Sequence, residues 1–137
     1  MTSKPEWLYK QSAVIPYVLE EDSCTIVLVT NNSKRSWIYP KGVIEKDMSP
    51  EDSAAKEALE EAGVIGDVES TLLDKYEYEK WGGVCSVKVF PLDVVEILDD
   101  WDEKGMRERV LVDIDQAIRQ VKPEQQNALM ELKQHLQ

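Results

Sequence analysis

The chain has 137 residues, 27 of them Asp or Glu against 16 Lys or Arg, for a formal net charge of −11. That length suits one domain with a real core, spanning residues 1–137, and leaves no room for a second. The acidic balance argues against non-specific binding to nucleic acid or to an anionic membrane surface, both of which it would repel; a polyphosphate substrate stays admissible, because bound cations can reverse the potential inside one cleft.

The opening residues, MTSKPEWLYK, hold no apolar run of signal-peptide length and no later run approaches a membrane span, so the expected compartment is the cytoplasm. Residues 11–19 (QSAVIPYVL) and 25–30 (TIVLVT) are rich in β-branched side chains and flank a polar stretch, which predicts two strands and a hairpin-like link. Pro16 predicts an edge or a bulge in the first strand, since proline offers no ladder donor. Cys24 and Cys85 lie in strand-like runs without metal-ligand spacing and read as buried free thiols in a reducing compartment; a disulfide is the other reading. The loop 31–36 (NNSKRS) is polar and basic. Lys34 and Arg35 are placed there either to reach a phosphate-bearing ligand or simply to be solvated.

The next stretch, 37–64, holds a helix with both ends written into it. Ser49 is a good N-cap, Pro50 fits the first helical position, and Asp52 stands three residues after the cap, where a capping box forms. Gly63 can take the left-handed conformation that ends a helix, so the element should run from Pro50 to about Ala62. Ala55, Ala58, Leu59 and Ala62 fall at helical spacing and predict the buried side; Glu57, Glu60 and Glu61 project on roughly the opposite side. Like charges at that spacing repel by roughly 0.2 to 0.5 kcal/mol per pair on an exposed helix. A hard divalent cation would offset this, and so would plain solvation of an acidic face.

The loop before the helix separates these readings. Gly42, followed at fixed distance by Lys56, Glu57, Ala58, Leu59, Glu60, Glu61, Ala62, Gly63 and Val64, resembles the Nudix box of the Nudix hydrolases. The resemblance implies an α/β/α sandwich around a mixed β-sheet. It also implies Mg2+ or Mn2+ held by Glu57, Glu60, Glu61 and a loop carbonyl at Lys41 or Gly42, with water attacking phosphorus in a small-molecule polyphosphate. Two positions depart from the box: Met48 stands where the family has glutamate, and Lys56 where it has arginine. Lys56 keeps the charge but loses the planar fork that holds a carboxylate bidentately. Glu45, Asp47 and Glu51 are near enough in sequence to substitute for the missing acid. A domain that binds a nucleotide or a protein partner without hydrolysing anything is the competing reading, and these two positions are its motive.

After the box, 65–70 reads as a link, and 71–79 with 84–92 as a β-hairpin turning through Lys80, Trp81, Gly82 and Gly83. Tyr76, Tyr78 and Trp81 can make an aromatic wall for a ring or serve as cross-strand packing. Lys80 and Lys88 are phosphate contacts or members of a solvated strand face. Residues 94–97 read as a further strand. The stretch 98–121 (LDDWDEKGMRERVLVDIDQAIRQV) is similar to the diphosphoinositol polyphosphate phosphohydrolase branch, whereas 37–42 (WIYPKG) resembles the dinucleoside polyphosphate hydrolases.

The family's late carboxylate falls to Glu103 ahead of Glu108, and this residue or a helix glutamate would take the proton from water. Arg107 and Arg109 are the expected phosphate clamps, beside Arg35, Lys41 and Lys80, unless they pair with Asp102 or Glu108. Helices are expected over 115–121 and 123–136, the latter with Leu129, Leu132 and Leu136 at core spacing. His135, the only histidine, sits at the end of the last helix and receives no catalytic role. Dinucleoside polyphosphates and related nucleoside diphosphate derivatives rank ahead of diphosphoinositol polyphosphates as substrates, on the modest count of cations; a monomer and a homodimer are both compatible with the sequence.

Overall fold

Strand β1 (Lys10–Glu20) is buried from residue 11 to residue 17 without alternation, the pattern of a strand covered on both faces. The computed structural model, which describes residues 5–137 apart from the side chains of Trp7 and Leu8, places β1 at the centre of an eight-stranded mixed sheet. It runs parallel to β7 (Gly83–Ile97) and antiparallel to β2 (Ser23–Thr30) and β4 (Lys41–Val43). The sheet order is β3 (Trp37–Ile38), β2, β1, β7, β5 (Val64–Val68), with β6 (Asp74–Lys80) on β7 and β8 (Arg109–Asp113) on β2.

Helix α1 (Pro50–Ala62) covers one face, over Val14, Val27, Val29, Phe90 and Leu92. Helices α2 (Ile114–Gln120) and α3 (Pro123–His135) cover the other, over Ala13, Ile15, Ile26, Leu28, Val87 and Val89. This is the predicted α/β/α sandwich.

Four local expectations are corrected. Pro16 is on neither an edge nor a bulge. Val14 N–H bonds the Pro40 carbonyl at 2.9 Å, so by alternation the missing Pro16 donor faces the same side, where β1 has left β4 (register 11–13) and not yet joined β2 (register from Tyr17). The proline therefore falls in a gap of the ladder and removes no bond. The link 65–70 is in large part strand β5, paired antiparallel to the far half of β7. The two strands expected over 84–97 are one strand of 15 residues. The buried side of α1 is also rotated from the expected one: Ala54, Ala58 and Ala62 are fully buried, while Leu59 is 41% exposed. Residues four apart form the contact ridge here, and the alanine row lets the helix axis sit low on the sheet.

The ends of α1 are as the sequence predicts. The Ser49 hydroxyl accepts from the Asp52 N–H at 3.0 Å, with Pro50 in the first turn. Gly63 adopts φ 65° and ψ 37°, and its N–H reaches the Leu59 carbonyl at 3.1 Å. Cys24 and Cys85 are both free, so the disulfide reading fails.

A side chain at Gly63 meets two obstacles, the positive φ and the Trp101 ring, which a Cβ would approach to 2.9 Å. Gly63→Ala should lower stability by about 1 to 3 kcal/mol, against about 1 kcal/mol for Ser49→Ala, which loses a cap. Urea denaturation of the two variants measures both, and a Gly63→Ala protein as stable as the parent would contradict the packing described.

Candidate active site

With Ala54, Ala58 and Ala62 against the sheet, Glu57 and Glu61 flank the contact ridge on the side of β4. Glu61 is 4% exposed. Its carboxylate accepts from the Lys41 backbone N–H at 3.4 Å and shares a hydrogen bond with Glu57. A Cβ on Gly42 would overlap the Glu57 carboxylate, so glycine is what allows that acid to lie against the β4 backbone.

Two carboxylates held this close, one of them buried, favour a proton on one of the pair. Burial, followed by the bond to Glu57, pushes the Glu61 carboxyl up to about 9. Burial also raises Glu57.

One of the two residues that depart from the box, Lys56, is engaged in an ion pair. The Lys56 ammonium contacts both oxygens of Glu45 at 2.9 Å and stands 3.7 Å from Glu60. Glu45, three residues before Met48, is thus the acid that meets the box cation. Asp47 and Glu51 do not take that place.

The loop between β7 and β8 supplies the fourth carboxylate. The Glu103 N–H donates to the Glu60 carbonyl at 3.0 Å, and its side chain accepts from Arg107 Nε at 2.7 Å. Arg107 is nearly buried: it donates to the Thr30 carbonyl at 2.9 Å and lies 3.9 Å from Glu61. Glu103 therefore stands at the helix, whereas Glu108 is exposed.

Arg109 is corrected as a phosphate clamp. One of its nitrogens donates to the Ala62 and Leu98 carbonyls at 2.9 and 2.8 Å, and the guanidinium stacks on Trp101 at 4.1 Å. It fastens the end of α1 to the loop. Neither arginine pairs with Asp102 or Glu108.

A cleft of about 260 Å3 opens beside Glu61, Gly42 and Arg107, with Lys41, Lys80 and Trp81 on its walls. It adjoins a pocket of about 240 Å3 walled by Tyr76, Tyr78, Lys122 and Gln125, which shares Lys41 and Lys80 with it. The Lys41 ammonium is held where the two meet, donating to Tyr78 Oη at 3.0 Å and Gln11 Oε1 at 3.3 Å. Burial and the neighbouring Lys80 lower its pKa.

Lys80 lies over the Trp81 ring at 4.6 Å. Tyr76 and Tyr78 do form an aromatic wall, their centroids 6.4 Å apart, while Trp81 packs edge-on against Tyr9. Arg35 is exposed on the loop and is not among the residues that line the cleft. Sequence reasoning missed Gln11, Lys122 and Gln125. The signal for Gln11 was a large amide at the head of an apolar run, a residue that strands do not bury without a partner.

Because Arg109 satisfies two carbonyls at the helix end, Arg109→Met should cost about 1 to 3 kcal/mol in urea denaturation. It should leave phosphate-ligand affinity within about twofold, as titration calorimetry would read; a large affinity loss at unchanged stability would restore the clamp.

Comparison with known proteins agrees with this geometry. The NUDIX domain matches residues 8–132. Nudix hydrolase 18, mitochondrial, of Arabidopsis thaliana is 33% identical over 112 residues, covering 75% of this chain and 63% of the relative. Nudix hydrolase 17, mitochondrial, of the same plant is 33% identical over 98 residues, covering 70% and 53%. The chain thus spans between about half and just under two thirds of the length of these relatives. Diphosphoinositol polyphosphate phosphohydrolase 3-alpha of Mus musculus is 30% identical over 120 residues, 86% of this chain and 72% of that protein. Among solved structures, an Ap4A hydrolase of C. elegans superposes with a TM-score of 0.75 at 19% identity, covering 93% of this chain and 98% of that one, which shows a shared fold. Matched over residues 8–132, and with Glu57 lying against Gly42 and Glu61 against the Lys41 N–H, the chain belongs to the Nudix family.

Proposed function

We propose that the protein is a metal-dependent pyrophosphohydrolase that cleaves a phosphoanhydride in a dinucleoside polyphosphate or a related nucleoside diphosphate derivative, with a diphosphoinositol polyphosphate as the next candidate. The observation that carries this reading is a cleft walled by Glu61, Gly42, Lys41, Lys80 and Arg107, with Glu57 lying against Gly42 and Glu103 tied to α1 through the Glu60 carbonyl and to Arg107.

Among the described residues no three acidic, histidine or cysteine side chains are already spaced as a metal site. The donor set nevertheless suits a hard divalent ion. Glu57 lies against Gly42 and Glu61 against the Lys41 N–H, where burial favours their protonated forms, and an ion with oxygen preference would displace such a proton. Mg2+ or Mn2+ bound by Glu57, Glu60, Glu61 and the Lys41 or Gly42 carbonyl would polarise the phosphoanhydride and lower the pKa of a bound water.

The chain's own groups do the rest. Lys41, fixed by Tyr78 and Gln11, and Lys80 at the mouth neutralise phosphate oxygens and hold the anhydride in line. Arg107 orients Glu103 and Glu61 from beneath. A helix glutamate or Glu103 accepts the proton from water. Tyr76 and Tyr78 present a flat face to the organic group beyond the phosphates, which favours a ring-bearing substrate. The free thiols of Cys24 and Cys85 suit a reducing compartment such as the cytoplasm.

Coupled phosphate release with Mg2+ or Mn2+ across dinucleoside polyphosphates, nucleoside triphosphates, sugar nucleotides and a diphosphoinositol polyphosphate should show turnover. Glu60→Gln should lower it by roughly 100-fold or more. Silence across the panel with ligand binding retained would reverse the conclusion in favour of a binding module.

Met48→Glu combined with Lys56→Arg should change kcat/KM by less than about threefold, because Glu45 and Lys56 already form the supporting pair; Lys56→Gln alone should cost roughly 10- to 100-fold. A large gain in the double variant would mean the native site is crippled.

A further inference from the structure

We propose that Lys10, Lys75 and Lys88 form a second phosphate subsite, on the α1 side of the sheet, for phosphates of the substrate remote from the bond that is cleaved. The proposal rests on the pyrophosphohydrolase reading for what the subsite serves, and on independent geometry for its existence.

The three lysines line a concavity of about 370 Å3 together with Ser86, Ile44 and Glu77. It lies on the sheet face opposite Tyr76 and Tyr78, so it is distinct from the pocket that those rings wall. Register shows how it relates to the glutamates. Lys75 pairs with Lys88 across β6 and β7, Lys88 with Ser12 across β7 and β1, and Ser12 with Gly42 across β1 and β4. Paired residues project from the same face, so these four form one row across the sheet. The row ends at Gly42, against which the Glu57 carboxylate rests. With strands about 4.8 Å apart, Lys88 starts about 10 Å from Gly42 and its side chain shortens that gap. Ser12, between them, presents a buried hydroxyl with no hydrogen-bond partner. Lys10 joins the group from β1, opposite Ser86 on β7.

The arrangement has no structural explanation in the free protein. Like charges directly opposite on a sheet are destabilising. Lys75 and Lys88 occupy that relation in a chain with net charge −11, in which carboxylates outnumber cations. Among the described residues none of the three lysines makes an ion pair, although Glu77 stands on the same face. Three unpaired ammonium groups around one hollow are the complement of a multiply charged phosphate ligand. Their place at the end of a row leading from Glu57 suits phosphates that continue past the reacting pair. A substrate with a single diphosphate would not reach them; one with several phosphates would.

The test uses inorganic tripolyphosphate as the probe, titrated calorimetrically into the whole chain in EDTA so that binding is read without hydrolysis. Lys75→Gln with Lys88→Gln should weaken binding roughly tenfold or more, the corresponding Arg pair should restore it, and Lys133→Gln on α3, across the sheet, should leave it unchanged. The Gln pair should also melt no lower than the parent, since it removes a repulsion. Affinity unchanged by the Gln pair, or lowered equally by Lys133→Gln, overturns the subsite. If the calorimetric pattern holds while no substrate on the panel is hydrolysed, the subsite stands and the enzyme reading fails. In an active enzyme the Gln pair should raise KM for substrates with four or more phosphates and leave kcat within about twofold; an unchanged KM counts against the proposal.

Discussion

A row of alanines decides where the chemistry of this protein can happen. Ala54, Ala58 and Ala62 bring the axis of α1 close to the sheet, and that approach carries Glu57 and Glu61 to the β4 backbone, where Gly42 leaves room for one carboxylate and the Lys41 N–H meets the other. A larger residue in the row would lift the helix, and the acids would become a solvated face. The site therefore depends on a packing distance, and the electrostatic strain of two buried carboxylates follows from it.

The charges around that pair are divided between function and fastening. Lys56 and Glu45 form a bond in which the cation keeps its place in the box and the acid comes from three residues before Met48, keeping a cation between an outer acid and Glu60. Arg107 braces Glu103 and Glu61 from within. Arg109, two residues on and at the start of β8, locks the helix end to the Trp101 loop. Arg107 lies in the loop before β8 and Arg109 opens that strand, so the junction of loop and strand assigns two chemically identical residues to different tasks.

Cations show the same partition at the scale of the molecule. In a chain this acidic, lysines without acid partners concentrate beside the glutamates on both faces of the sheet: Lys41 and Lys80 on the tyrosine side, Lys10, Lys75 and Lys88 on the helix side. Local potential, rather than net charge, governs what anion such a protein accepts.

The sequence determined what depends on near neighbours. The limits of α1 followed from Ser49, Pro50 and Gly63, because caps act within one turn, and the hairpin followed from the glycines after Trp81. Glu57, Glu60, Glu61 and Gly42 were legible because their spacing is rigid, and the layer order followed from the succession of strands and helices. Tertiary structure decided what depends on contacts distant in the chain. It chose Ala54 over Ala55 and Leu59 for the buried ridge, since helix rotation is set by the surface beneath it. It turned 65–68 into a strand by offering the edge of β7, excused Pro16 through a gap between two partner strands, and separated Arg107 from Arg109. Register across four strands, invisible in a linear chain, is what aligned Lys75 and Lys88 with Glu57.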